Sequence, residues 1–238
     1  MKASHPSSNT FCLVLLSYNE CQNLQELLPQ IPLSNFDSVI AIDAGSSDGT
    51  IEVYEQHGIP YVLQEKKGRG NAFLLALDQV KTDFIIFFST DGNEDPQDLG
   101  KMKELLLSEN KMVVAGRYLY PESQTDDTDD PLRIRKGFGI LGGKIIQAIW
   151  KTPIKDAING FRGFQVEALK KMKLDAPSHE IELQSTIRAA KLGLKVAEFP
   201  TKELKRKHEI RKKSAGTLKL TINLGKFLLK EIYKGNNF

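Results

Sequence analysis

The feature that most constrains this fold is an alternation. From Phe11 to Ala115, short apolar runs take turns with amphipathic stretches. Phe11–Leu16, Ser38–Ile42, Ile59–Leu63, Phe84–Phe88 and Lys111–Ala115 read as strands. Between them lie four helical stretches: Asn23–Gln30, closed by Pro29 and Pro32; a segment carrying Ile51, Val53 and Tyr54; one opened by Gly68-Arg-Gly-Asn71 and running through Leu77 and Val80; and Pro96–Ser108. Runs this apolar suit strands buried on both faces, and helical crossovers supply the cover. The expected class is α/β, with a doubly wound, mostly parallel central sheet, right-handed crossovers and flanking helices.

The second half is less regular. Pro121–Pro131 is polar, acidic and rich in turn residues, and reads as a mobile surface loop. Gly139–Trp150 and Ile181–Leu192 read as helices, the latter with Ser178 as N-cap, and Lys195–Phe199 as a short strand. Lys202–Lys213 carries seven Lys or Arg against two Glu, and Thr217–Lys234 is a lysine-dotted helix. Residues 1–200 are expected to form the main domain. Residues 201–238 form a basic helical extension, either part of that domain or a peripheral membrane or acceptor element.

Bulk properties narrow the function. A length of 238 residues with 40% hydrophobic and 26% charged residues suits one sizeable globular core. No stretch approaches the roughly 20 apolar residues of a membrane span, and Met1–Asn9 lacks a signal-peptide core. Any membrane contact is therefore expected to be peripheral. Cys12 and Cys21 suit free thiols in a reducing cytosol, and four scattered histidines argue against zinc. A net charge of +3 and a basic run without interleaved aromatics argue against nucleic acid. That run fits anionic lipid headgroups or an acceptor phosphate better, and a plain solvated face equally well.

The chemistry clusters at strand ends. Five apolar residues, Phe84–Phe88, run into Ser-Thr-Asp91-Gly-Asn93-Glu-Asp95-Pro96. Ligands bind at the carboxyl ends of strands in open α/β sheets. Oxygen ligands there suit Mg²⁺ or Mn²⁺, which use one or two carboxylates and complete their shell with water and phosphate. In extended geometry Asp91, Asn93 and Asp95 share a side, while Asp95 before Pro96 also reads as a helix cap. Asp43 directly follows the second strand, where a carboxylate could accept from a base or a ribose hydroxyl. Asp48 either caps the next helix or joins Asp43 on the ligand. Gly68-Arg69-Gly offers backbone N–H groups and a cation to phosphate or sugar, or is a plain helix entry. Arg162 stands in a glycine-flanked turn and could pair with phosphate. Glu180, in a helix first turn, is a candidate general base.

Taken in order, Ser17-Tyr-Asn-Glu20, Ile42-Asp-Ala-Gly-Ser-Ser-Asp-Gly-Thr50, Gly68-Arg-Gly-Asn-Ala72, Asp91-Gly-Asn93, Gly116-Arg-Tyr118, Asp156-Ala-Ile-Asn-Gly-Phe-Arg162 and the Glu180/Glu182 helix resemble an inverting family 2 glycosyltransferase with the GT-A fold. Within that family the chain is most similar to dolichyl- or polyprenyl-phosphate mannosyl- and glucosyltransferases. The resemblance implies that Tyr18, Glu20 and Asp43 hold the nucleotide. It makes Asp91 and Asn93 the ends of the metal motif, with Asp95 as a third ligand, and has Arg117 and Arg133 face phosphates. Arg162 and the basic stretch containing Arg206 would close over the site. Asn93 stands where the family usually has an acid.

The implied reaction transfers a sugar from a UDP- or GDP-sugar, with inversion, to a polyprenyl phosphate or, alternatively, to a saccharide hydroxyl. A non-catalytic nucleotide-sugar binding module is the competing reading of another class. The implied setting is cytoplasmic, at most peripheral to a membrane.

Overall fold

The computed structural model describes residues 9–118, 134–208, 217–235 and 238. The expected acidic loop at 121–131, Arg133 and the end of the basic run lie outside them.

Seven strands form one sheet in the order β3-β2-β1-β4-β6-β5-β7. They are β1 (Phe11–Ser17), β2 (Ser38–Asp43), β3 (Tyr61–Leu63), β4 (Phe84–Ser89), β5 (Met112–Gly116), β6 (Arg162–Gln165) and β7 (Val196–Pro200). The helices are α1 (Cys21–Leu27), α2 (Thr50–Gln56), α3 (Arg69–Gln79), α4 (Asp98–Leu107), α5 (Ile134–Trp150), α6 (Val166–Lys171), α7 (Glu180–Lys191) and α8 (Thr217–Tyr233). All ladders are parallel except those of β6, which runs antiparallel between β4 and β5. The α/β, mostly parallel expectation therefore holds.

Period-two alternation sorts each strand between two cores. Leu13, Leu15, Ile86, Phe88, Val113 and Ala115 meet α1, α2 and α4 on one face. Cys12, Val14, Ile85, Phe87, Met112 and Val114 meet α3, α6 and α7 on the other. Phe73 of α3 stacks on Phe87, with ring centroids 3.7 Å apart. A third cluster joins α5, α7 and α8 through Ile146, Leu183, Ile187, Leu224 and Leu228. Beside it, buried Glu231 of α8 pairs with buried Arg188 of α7 at 3.0 Å. The basic C-terminal helix is thus packed against the body.

Two elements depart from expectation. The stretch read as a turn around Arg162 begins β6, and α6 follows it. Gly163 pairs with Ile86 and Val113, and a side chain there would meet Leu106 at 2.8 Å. Helix α5 starts five residues before the expected Gly139.

Candidate donor site at the strand ends

From β1 the chain winds outward to β2 and β3 on one side, then returns to β4 on the other. The switch point therefore lies between β1 and β4, where an α/β sheet opens a crevice. A cleft of about 280 Å³ lies there, lined by Tyr18, Glu20, Gln64, Lys67, Arg69, Ser89, Asp91 and His179, among others.

The loops after β1 and β2 hold each other. Asn19, at φ +54°, accepts from the Ser47 N–H at 2.9 Å, and its own N–H donates to Ser46 Oγ at 2.8 Å. Glu20 is buried and accepts from Asn23 Nδ2 at 2.8 Å. Tyr18 is exposed at the rim, with Lys67 Nζ 4.7 Å from its ring centroid.

Two aspartates expected at the ligand are engaged elsewhere. Asp43 is fully buried and accepts from Ser17 Oγ, Ser46 Oγ and the Gly45 and Ser46 N–H groups at 2.6–3.0 Å. Its carboxylate organises the loop, and its neighbours Ile42 and Ala44 line the cleft. Asp48 accepts from the Cys21 N–H, the Thr50 N–H and Thr50 Oγ1. Burial opposes its charge, but these bonds outweigh burial and hold its carboxyl below the usual range. Asp48 is turn and cap chemistry.

Arg69 opens α3 and reaches the cleft. It donates to Ser89 Oγ at 3.1–3.2 Å, pairs with Glu182, and lies 4.0 Å from Glu94. The glycines beside it serve packing. A side chain on Gly68 or Gly70 would strike the Pro177 or Ala176 carbonyl, and the Asn71 N–H donates to Pro177 O. Gly68, Gly70 and the Asn71 N–H therefore fit the segment before α7, while Gly68 and Arg69 also line the cleft.

The Asp91–Asp95 loop is not extended. Gly92, at φ +81°, turns it, and the Asn93 N–H donates to Asp91 Oδ1 at 3.2 Å. Asp95 Oδ1 accepts from the Gln97 N–H at 2.9 Å, a cap before α4. That bond matches the helix-entry half of the reading of Asp95. Asp91 faces the cleft, and its Oδ2 accepts from Arg206 Nη2 at 2.8 Å. Asn93 is buried, and its Oδ1 has no hydrogen-bond partner among the described residues. A carboxylate and an orphaned amide oxygen two positions apart are donor types that suit a hard cation; of the two residues, Asp91 lines the cleft and Asn93 does not. Among the described residues no group of three or more His, Cys, Asp or Glu could hold a metal by itself. Glu94, overlooked in the sequence because only alternate positions were weighed, accepts from the Ser89 N–H at 2.7 Å. Burial pushes its carboxyl up to about 8, against the pull of Arg69.

The remaining arginines divide. Arg206 reaches the site on residues 201–208, which also bond through the Leu204 N–H to Asn93 O and through His208 to Asn23 and Glu26. Arg117 does not face the cleft. Its fork grips Asp156 at 2.7 and 3.1 Å, with Glu203 at 3.5 Å. Burial opposes its charge, but Asp156 outweighs that and holds it firmly protonated. Arg162 is also corrected. It is fully buried and donates to the Asn159, Ala157 and Glu182 carbonyls and to Ser185 and Thr186. Burial lowers its pKa to about 10, so it stays charged at neutral pH while binding α7 to the 157–159 loop.

Glu180 begins α7, half-buried, next to the cleft-lining His179. The acid on this helix that pairs with a cleft-lining residue is Glu182, which is 2% exposed, is held by Arg69 and has Oε2 without a partner among the described residues.

A doubly wound sheet with an acid-and-base-lined crevice at its switch point and an acid loop after β4 is the GT-A type of glycosyltransferase. The chain belongs to glycosyl transferase family 2, whose model matches residues 12–173. It is 26% identical over 199 residues to the glycosyltransferase AglJ of Haloferax volcanii, covering 82% of this chain and 63% of that protein. The chain therefore spans less than two thirds of that relative's length. It is 23% identical to the UDP-N-acetylglucosamine–dolichyl-phosphate N-acetylglucosaminyltransferase of Methanococcus voltae, covering 81% of this chain and 84% of that protein. Among solved structures it is similar in fold to glucosyl-3-phosphoglycerate synthase of Mycobacterium tuberculosis in complex with Mn²⁺, UDP and phosphoglyceric acid. The TM-score is 0.71 at 19% identity, over 97% of this chain and 80% of that one.

Proposed function

We propose that this enzyme transfers a sugar from a nucleotide-diphosphate sugar, with inversion, to a polyprenyl or dolichyl phosphate. The observation that carries the donor half is Asp91 at the end of β4, in a cleft that also holds Tyr18, Glu20, Lys67 and Arg69. Tyr18 and Glu20 receive the nucleoside. Lys67 and Arg206 supply the charge that meets a diphosphate. Asp91 and the orphaned Asn93 Oδ1 would hold Mg²⁺ or Mn²⁺, with Arg206 released from Asp91. Bound there, the ion neutralises charge developing on the leaving diphosphate. A synthase of the same fold is seen with Mn²⁺ and UDP, which supports this donor class.

In the transfer, an acceptor oxygen bonds to the anomeric carbon from the face opposite the diphosphate. The bond to the diphosphate oxygen breaks, and its electrons leave with the nucleoside diphosphate. An acceptor phosphate is already an anion and needs no proton removed, whereas a saccharide hydroxyl needs a base. Glu182 is held by Arg69, so it is poorly placed to accept that proton. The name of the Methanococcus relative supports a dolichyl phosphate acceptor. The test is Glu180→Gln, assayed against a short-chain polyprenyl phosphate and a saccharide. Near-full transfer to the phosphate fits the proposal. A loss of several orders of magnitude would sink it and assign Glu180 as the base for a hydroxyl.

A further inference from the structure

Helices α5 and α8 pack against each other and, through the third core cluster, against α7. Their outward faces are unlike the rest of the surface. On α5 the exposed positions include the adjacent pair Ile140 and Leu141, then Lys144 and Ala148 at further steps of three and four, all on one face. On α8 they are Lys219, Ile222, Asn223, Lys226, Leu229, Lys230 and Tyr233, again one face. Leu141, Leu229 and Tyr233 are 58%, 55% and 87% exposed. Single exposed apolar residues are ordinary, but a helical row of them on two touching helices is not.

The charges on this layer have one sign. Helix α5 contains no Asp or Glu, and the only acid in α8, Glu231, is buried on Arg188. The whole chain has 33 basic and 30 acidic residues, so a layer with no exposed acid departs from the average. No described helix is long and apolar enough to cross a membrane. Apolar residues interleaved with lysines, on helices too short to span, are the chemistry of a helix lying in the plane of an anionic lipid surface.

The layer also lies beside the catalytic edge. β5 runs parallel to β4, since both are antiparallel to β6, so its C-terminal end is on the cleft edge of the sheet. Tyr118 follows that end, and a side chain on Gly139 of α5 would sit 3.0 Å from the Tyr118 ring.

We infer that the outward face of α5 and α8 docks on an anionic lipid bilayer and holds the donor cleft at the membrane surface. The inference takes its purpose from the lipid-phosphate acceptor proposed above, but its test involves no sugar transfer. The full chain is sedimented with vesicles of phosphatidylcholine alone and with vesicles that also contain phosphatidylserine, at low and high salt. The wild type is expected to sediment with the anionic vesicles and to be released by salt. Lys144→Gln with Lys226→Gln should weaken binding about fivefold per lysine. Leu141→Gln with Leu229→Gln should weaken it at least tenfold. Thermal stabilisation by UDP or GDP with Mn²⁺ should match the wild type in both variants, which checks their folding and donor site. Wild-type protein that ignores both vesicle types would overturn the inference, as would variants that bind vesicles like the wild type. A concentration-dependent dimer without vesicle binding, abolished by the leucine pair, would make the face a protein interface and also overturn it. Failure of polyprenyl phosphate as an acceptor would leave vesicle binding intact, so the two failures are distinguishable.

Discussion

Replacing Arg162 with Met separates a positioning arginine from one that touches phosphate. Met keeps the length and apolar stem but deletes every donor. Arg162 Nε is 2.7 Å from Asn159 O, and Nη1 is 2.7 Å from both Glu182 O and Ser185 Oγ. The site is fully buried, so water cannot replace those bonds. Orphaning the Asn159 carbonyl costs about 1–3 kcal/mol, and the lost bonds to Ser185 and Ala157 add about 1 kcal/mol each. The sum is about 3–5 kcal/mol, a large share of a typical domain's stability. Urea unfolding followed by circular dichroism should show a lower midpoint with an unchanged slope. Activity under conditions where the variant remains folded should fall modestly. A stability loss under about 1 kcal/mol combined with abolished transfer would refute the reasoning and return Arg162 to the substrate.

Other outcomes follow from the same geometry. A methyl on Gly160 would lie 1.7 Å from Arg69 Nη2, so Gly160→Ala should displace Arg69 and destabilise the fold by about 1–3 kcal/mol, as thermal unfolding would register. The same variant should weaken nucleotide binding about tenfold by titration calorimetry, one displaced contact being worth roughly 1.4 kcal/mol. Burial pushes Glu198 up to about 7 despite bonds from the Lys155 and Asp156 N–H groups. The native state therefore holds this proton more tightly than the unfolded chain, and stability falls as pH rises from the ordinary carboxylate range through about 7. Glu198→Gln should flatten that decline, by at most about 3 kcal/mol, and a slope identical to the wild type's would argue against the assignment.

Much of the fold was legible because β1, β2, β4 and β5 are apolar runs whose burial on both faces leaves little choice of class. β6 was not legible. It has four residues, one a glycine, and exists because β4 and β5 flank it. The site was legible in type but less so in role. Sequence places Asp43 and Arg162 near the ligand, yet two of their partners, Ser17 and the α7 carbonyl of Glu182, are brought to them only by tertiary packing. Asp95 carried both readings, and its bond from the Gln97 N–H is the helix-entry one. Glu94 and Glu182 left no periodic signal. Their significance arises from sharing Arg69, which links three separate segments.

The central claim is that the cleft binds a nucleoside diphosphate through a metal held at Asp91, and thermal shift tests it most directly. UDP and GDP are titrated with and without Mn²⁺ against wild type and Asp91→Ala. At about a hundred times the dissociation constant, stabilisation is about 2.7 kcal/mol, or roughly 5–10 °C for a chain of this size. One nucleotide should reach that shift only with metal, and Asp91→Ala should remove it. Equal shifts without metal, or an Asp91→Ala response matching the wild type, would contradict the account.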